Sequence, residues 1–311
     1  ERYDGISWST NTNMITSRDT LGGDGATGGT SLQAGGDTTV VVSCTEEYTE
    51  TLICTGTYQC NLPDSAGAWS AGGNMIVARR NMGSAGTQNA GLAFGGDAGR
   101  CTEEYNGSTW ATAGSLINGR LYLAGGGTQI SALAFGGGTP SILACTEEYN
   151  GSSWTAGGAL IVPRTQLGGV AESTDTGLAF AGLTPSYVTC TEEYDGSSWT
   201  AGGAMIESRS YIGSAGTQNA GLAFGGNDPD NQCVTEEYNG TSWSAGGNLI
   251  TGREILGGAG TQNAALAFGG RNPTVTGATE KYDGTTWSVS TSLITPRMSL
   301  GGTGTSLTAL A

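Results

Sequence analysis

Thr146-Glu147-Glu148-Tyr149-Asn150-Gly151-Ser152-Ser153-Trp154 decides the fold, because nearly the same nine residues return at 102–110, 191–199 and 235–243. Working outward, the tryptophans are Trp8, Trp69, Trp110, Trp154, Trp199, Trp243 and Trp287, the last six spaced 41, 44, 45, 44 and 44 residues apart. Ten residues after each stands an arginine: Arg18, Arg79, Arg120, Arg164, Arg209, Arg253 and Arg297. An apolar pair lies between them, as in Leu160-Ile161 and Met205-Ile206. A period in the forties marks a repeat architecture in which each unit buries its faces against its neighbours.

Each unit reads as four short strands. A strand of small residues (256–261) and a polar turn lead to an apolar strand (264–268) closed by Gly269-Gly270. A variable loop follows, then a strand ending on Tyr282, the tight turn Asp283-Gly284, and a strand opened by Trp287. Asp-Gly and Asn-Gly accept the positive φ of two-residue hairpins. Four-stranded units repeated seven times imply an all-β, seven-bladed β-propeller with four antiparallel strands per blade. The expected blades are about 16–78, 79–119, 120–163, 164–208, 209–252, 253–296, and 297–311 completed by 1–15, so that N-terminal strands close the ring. An inserted hairpin (49–64) accounts for the 61-residue first interval.

Glycine supplies 56 of 311 residues without a Gly-X-Y period, so the chain is neither collagenous nor, with 7 Trp and 11 Tyr, a disordered tract. Histidine is absent, which excludes imidazole catalysis and His-ligated metals. A net charge of −15, without a basic cluster, argues against nucleic acid and anionic lipid as partners. No apolar run is long enough to insert in a membrane. The chain opens on Glu1, from which a fragment or a processed product is expected.

The repeated Thr-Glu-Glu-Tyr motif offers paired carboxylates, but neighbours on a strand point to opposite faces and seven copies do not make one catalytic site. One glutamate per blade (Glu103, Glu147, Glu192, Glu236) is expected to meet the repeated arginine, with Trp110, Trp154, Trp199, Trp243 and Trp287 packing between blades. Cys44, Cys101, Cys145, Cys190 and, shifted by one, Cys233 occupy one register, too far apart to pair, and read as small buried hydrophobes. Cys54 and Cys60 share the inserted hairpin and could bridge locally. Asn106, Asn150 and Asn239 match the glycosylation sequon, yet homologous turns use Asp195 and Asp283, so turn chemistry explains them. Binding is expected in the loops that differ between repeats, which contain Arg100, Tyr187, Asn227, Asp228, Asp230 and Arg271. No cofactor, metal or catalytic residue is expected.

A Gly-Gly closing the second strand, a Tyr in the third and a Trp five later resemble the kelch repeat; Ala181-Gly182 is a local departure. The near-identical, glycine-rich, lysine-poor units are similar to kelch-like proteins of marine bacteriophages. That resemblance implies a non-enzymatic virion surface, tail or fibre protein contacting a host receptor or glycan, or other virion subunits, with homo-oligomers possible. A lectin-like extracellular propeller and an intracellular kelch-type adaptor are the alternatives. Galactose oxidase-like copper chemistry needs histidine ligands, which the chain lacks.

Overall fold

The computed structural model describes residues 67–310, together with short strands at 2–3, 8–9, 31–34, 45–49, 53–54 and 60–61. In the first complete repeat, Gly83–Thr87 pairs with Ala90–Phe94, which pairs with Thr102–Tyr105, which pairs with Trp110–Ala113, all antiparallel. Four more repeats, spanning 124–156, 168–201, 213–245 and 257–290, form sheets of the same order. The first strand of each lies innermost. Its glycines are dictated by packing: a Cβ on Gly83 would stand 2.2 Å from the Phe94 ring, and one on Gly168 2.2 Å from Phe180.

The sheets meet face to face through aromatic and polar contacts that step from one to the next. Phe94 meets Trp154, Phe135 meets Trp199, Phe180 meets Trp243 and Phe224 meets Trp287, each with ring centroids 5.0 Å apart. Each indole then donates to the threonine that opens the preceding third strand, as Trp199 Nε1 does to Thr146 Oγ1 at 2.8 Å. The Tyr194 hydroxyl donates to Glu148 Oε1 of the preceding sheet at 2.6 Å, and Tyr149 reaches Glu104 in the same way at 2.7 Å. Buried rings with satisfied polar tips give both apolar burial and a fixed angle between neighbours.

The architecture is an all-β propeller, and it has five complete four-stranded blades rather than the seven expected. A composite sheet fills the remaining sector. In it Thr303–Thr305 and Thr308–Leu310 join Thr45–Thr49, whose other edge carries Ala68–Ala71. Ser31–Ala34 pairs with Thr45–Thr49 as well, so that Leu32 and Leu310 are both register partners of Glu47. The N-terminal residues do not complete the last blade: Arg2–Tyr3 pairs with Trp8–Ser9 in a separate two-stranded sheet.

Closure is visible in the backbone. The Tyr122 N–H donates to the Asn81 carbonyl, Gln166 to Tyr122, Tyr211 to Gln166, Ile255 to Tyr211, Ser299 to Ile255, and Asn81 back to Ser299, at 2.9–3.0 Å. Six links complete the circle. Counting tryptophans counts repeats, whereas the number of sectors follows from the wedge angle between packed sheets. Glycine-rich inner strands and bulky Phe–Trp contacts farther out open that wedge, and the ring closes through Ser299.

Candidate binding face

The inner strand runs from one face of the ring to the other, and the second strand returns. The connector entering each blade and the loop after its second strand therefore share a face. Backbone bridges show the adjacency: Leu121 with Gly138, Thr165 with Leu183, Ser210 with Asn227 and Glu254 with Arg271. The opposite face carries the two tight turns of each blade. There Asn150 Oδ1 accepts from the Ser152 and Ser153 N–H groups at 3.0 and 2.9 Å, and Asp195 Oδ1 accepts from Ser197 and Ser198 at 2.9 and 2.8 Å. These bonds hold the exposed Asp195 carboxyl down at about 2, the Ser198 N–H contributing most. The interchange of Asn and Asp between repeats is thus turn chemistry.

At the centre of the loop face, Asn81, Tyr122, Gln166, Tyr211, Ile255 and Ser299 surround the axis, one from each sector. All six have φ between 55° and 59°, a conformation that non-glycine residues adopt rarely and that a β-branched residue such as Ile255 strongly resists. The ring of backbone hydrogen bonds imposes it. Tyr122 and Tyr211 meet edge to face with centroids 5.7 Å apart. Burial, and then the Tyr122 ring, push the Tyr211 hydroxyl above the ordinary phenol range. Beneath this rosette runs an axial cavity of about 300 Å³, lined by the inner strands.

The binding residues expected from the loops lie around the rosette, without converging on one point. The Tyr187 hydroxyl donates to Asn227 Oδ1 at 3.1 Å, joining two neighbouring loops. Asp228 Oδ2 accepts from Ser208 Oγ at 2.7 Å. Asp230 is exposed and its carbonyl accepts from Gln232 Nε2 at 3.0 Å. Arg271 pairs with the buried Glu254 at 2.7 Å, and Arg100 is exposed. Among the described residues, no three acidic or cysteine side chains gather as a metal site. The loop 37–43 and Arg18 lie outside the described residues.

Farther from the axis, the repeated arginines and glutamates pair in full burial. Arg120 meets Glu147 at 2.6 Å, Arg164 meets Glu192 at 2.9 Å and Arg209 meets Glu236 at 2.8 Å. Arg79–Glu103, Arg253–Glu280 and Arg297–Glu46 repeat the pair, the last joining the C-terminal strands to the composite sheet. The second glutamate of each motif is the one that receives the neighbouring tyrosine. Cys101, Cys145, Cys190 and Cys233 are free thiols, half-buried rather than fully buried as expected. The Arg164 guanidinium donates to Cys190 Sγ at 2.6 Å, while burial raises that thiol. Cys54 and Cys60 are register partners in the hairpin formed by Ile53–Cys54 and Cys60–Asn61, and their sulfur atoms lie outside the described part of the structure.

Sequence reasoning missed the rosette. The second residue after each arginine is Asn, Tyr, Gln, Tyr, Ile or Ser, and the first varies as well (Arg80, Leu121, Thr165, Ser210, Glu254, Met298), so no repeated residue marks the position.

With this geometry in hand, one solved chain, titled "Structure of YjhT", superposes with a TM-score of 0.63 at 10% identity, covering 74% of this chain and 88% of that one. The likeness is one of fold. No known family pattern and no curated protein matches the chain.

Proposed function

We propose that the chain is a non-enzymatic interaction module of the kelch type, a virion surface, tail or fibre component that contacts a host surface or other virion proteins through its loop face. One observation carries this reading: the positions that vary between repeats, in the rosette and in the loops, gather on one face, while the other repeats the same polar turns. A rigid scaffold whose complete blades vary on one side is the usual arrangement for recognition. The virion location rests on the resemblance of the repeats to kelch-like phage proteins. Glycan recognition is the second reading, favoured by the half-buried rings of Tyr122 and Tyr211 in one rosette with the amides of Asn81 and Gln166, which suit a ring with one apolar face and many hydroxyls.

Imaging of purified particles labelled with an antibody to the chain tests the location; label on the surface or tail is the expected result, and unlabelled particles reject it. A glycan array separates the two readings. Sharp selectivity that is lost in Tyr211→Ala favours the sugar, and absence of any signal favours protein contacts.

A further inference from the structure

The loop face also carries an annulus of isoleucine. In every described connector the first residue of the apolar pair is buried and the second is not: Ile76, Ile117, Ile161, Ile206, Ile250 and Ile294 are 42–59% exposed. Nothing in the blade core requires them. Their backbones are nonetheless held in place, because the glutamate of each buried ion pair accepts the isoleucine N–H, as Glu192 Oε2 does from Ile161 at 2.6 Å. The residues on either side of this pair change from repeat to repeat, and the isoleucine does not. Of the ten large hydrophobic residues exposed among the described residues, eight lie on this face: the six isoleucines, Val77 and Tyr187. The isoleucines together expose on the order of 600 Å² of apolar surface, divided among six sites, one per sector.

We propose that this annulus docks a second copy of the chain, face to face about a two-fold axis lying in the plane of the ring. The inference rests on the loop face being the contact surface and, of the partners proposed for that face, selects a protein one, a second copy, over a host surface or glycan. An annulus repeated at equal radius superposes on itself under such a rotation, so isoleucine meets isoleucine around the ring. The opposite face offers no match. It presents Asn–Gly and Asp–Gly turns and the carboxylates of Asp175, Asp195 and Asp283, with Ile130 its one exposed large apolar residue among those described. Charge is mixed rather than of one sign: from Gly67 onward, Arg80, Arg100 and Arg271 share the loop face with Asp97, Glu207, Asp228, Asp230 and Glu254, and Arg80 and Arg271 are already paired with Asp97 and Glu254. With the loops added, the contact reaches the roughly 800 Å² per partner of a stable interface. Because the face is used up by its own copy, the assembly is a closed pair and not a filament.

Sedimentation velocity of the full chain over a hundredfold range of concentration tests this. The wild type is expected to sediment as a dimer, and the double variant Ile161→Ser/Ile206→Ser to weaken the dimer at least tenfold while melting at the wild-type temperature. Val289→Ser, on an outer strand away from the annulus, is expected to leave the dimer intact. A wild type that stays monomeric throughout, or a dimer indifferent to the isoleucine variant, overturns the proposal. A monomeric wild type whose surface or particle binding is still lost in the double variant rejects the self-contact and leaves the contact face standing.

Discussion

A guanidinium with no exposed surface is costly to bury, and Arg209 recovers that cost through three partners: Glu236, the Gly225 carbonyl and the Val234 carbonyl. Glu236 in turn accepts the Ile206 N–H, so one ion pair fixes the connector to the blade it enters. Removing one partner strands the other in a dry interior, which costs about 3–5 kcal/mol. Arg209→Ala is therefore expected to lower the melting temperature by on the order of 10 °C, whereas Arg100→Ala, an exposed loop position, should leave it almost unchanged. Differential scanning calorimetry of the two variants checks this, and equal melting temperatures would deny the pair its structural role. The pairing was legible because a chain with 12 cationic residues places seven of them at one spacing. The rosette was not, because a position that varies leaves no repeated residue to notice, and its left-handed backbone arises only when the ring is complete.

At the scale of the blade, neighbouring sheets approach so closely that side chains are excluded. A Cβ on Gly158 would lie 2.1 Å from the Ser197 carbonyl oxygen of the next blade, and the same clash recurs at Gly114 with Ser152 and Gly247 with Thr285. Backbone cannot yield as a flexible side chain can, so Gly158→Ala is expected to destabilise by about 1–3 kcal/mol, read from urea unfolding monitored by tryptophan fluorescence. Gly-Gly was legible as a strand terminus, but the glycines after each tryptophan strand carried no signal of a neighbouring carbonyl. The tyrosine links between blades add a pH dependence. Burial first, and then the glutamate each one contacts, push Tyr194, Tyr238 and Tyr282 up to about 12. Their unfolded value is about 10. A raised folded value means that the contribution is whole below pH 10 and is lost as the pH climbs towards 12. The melting temperature should fall across that interval, and the triple variant Tyr194→Phe/Tyr238→Phe/Tyr282→Phe should flatten the fall. An unchanged slope would remove these hydroxyls from the explanation.

For the whole molecule, four strands per unit and their order could be read from alternation and turn residues, because those are set within some forty residues. The number of sectors could not, since it depends on an angle summed around a circle and on which strands meet at the seam. At that seam the chain holds more repeats than the ring accepts: Thr45–Thr49 receives Thr308–Leu310 in the register also used by Ser31–Ala34. The closing bonds run through Ser299, Arg297 and Trp69, the indole of Trp69 donating to the Thr291 carbonyl at 3.0 Å and the Arg297 guanidinium meeting Glu46. Among the described residues, these closing contacts reach Thr45–Thr49 and Trp69 rather than the N-terminal strands. A chain lacking residues 1–30 is accordingly expected to melt within about 2 °C of the full chain, well inside the shift of a lost core contact. A chain lacking 297–311 loses two strands of the composite sheet, one buried ion pair and two of the six central backbone bonds. It should unfold at a markedly lower temperature and over a broader range, because the inner strands on either side of the gap lose their neighbour and the sheets separate one at a time. Calorimetry of both truncations decides between closures: if the N-terminal deletion is the damaging one, the seam lies at residues 1–15 and the ring described here is wrong.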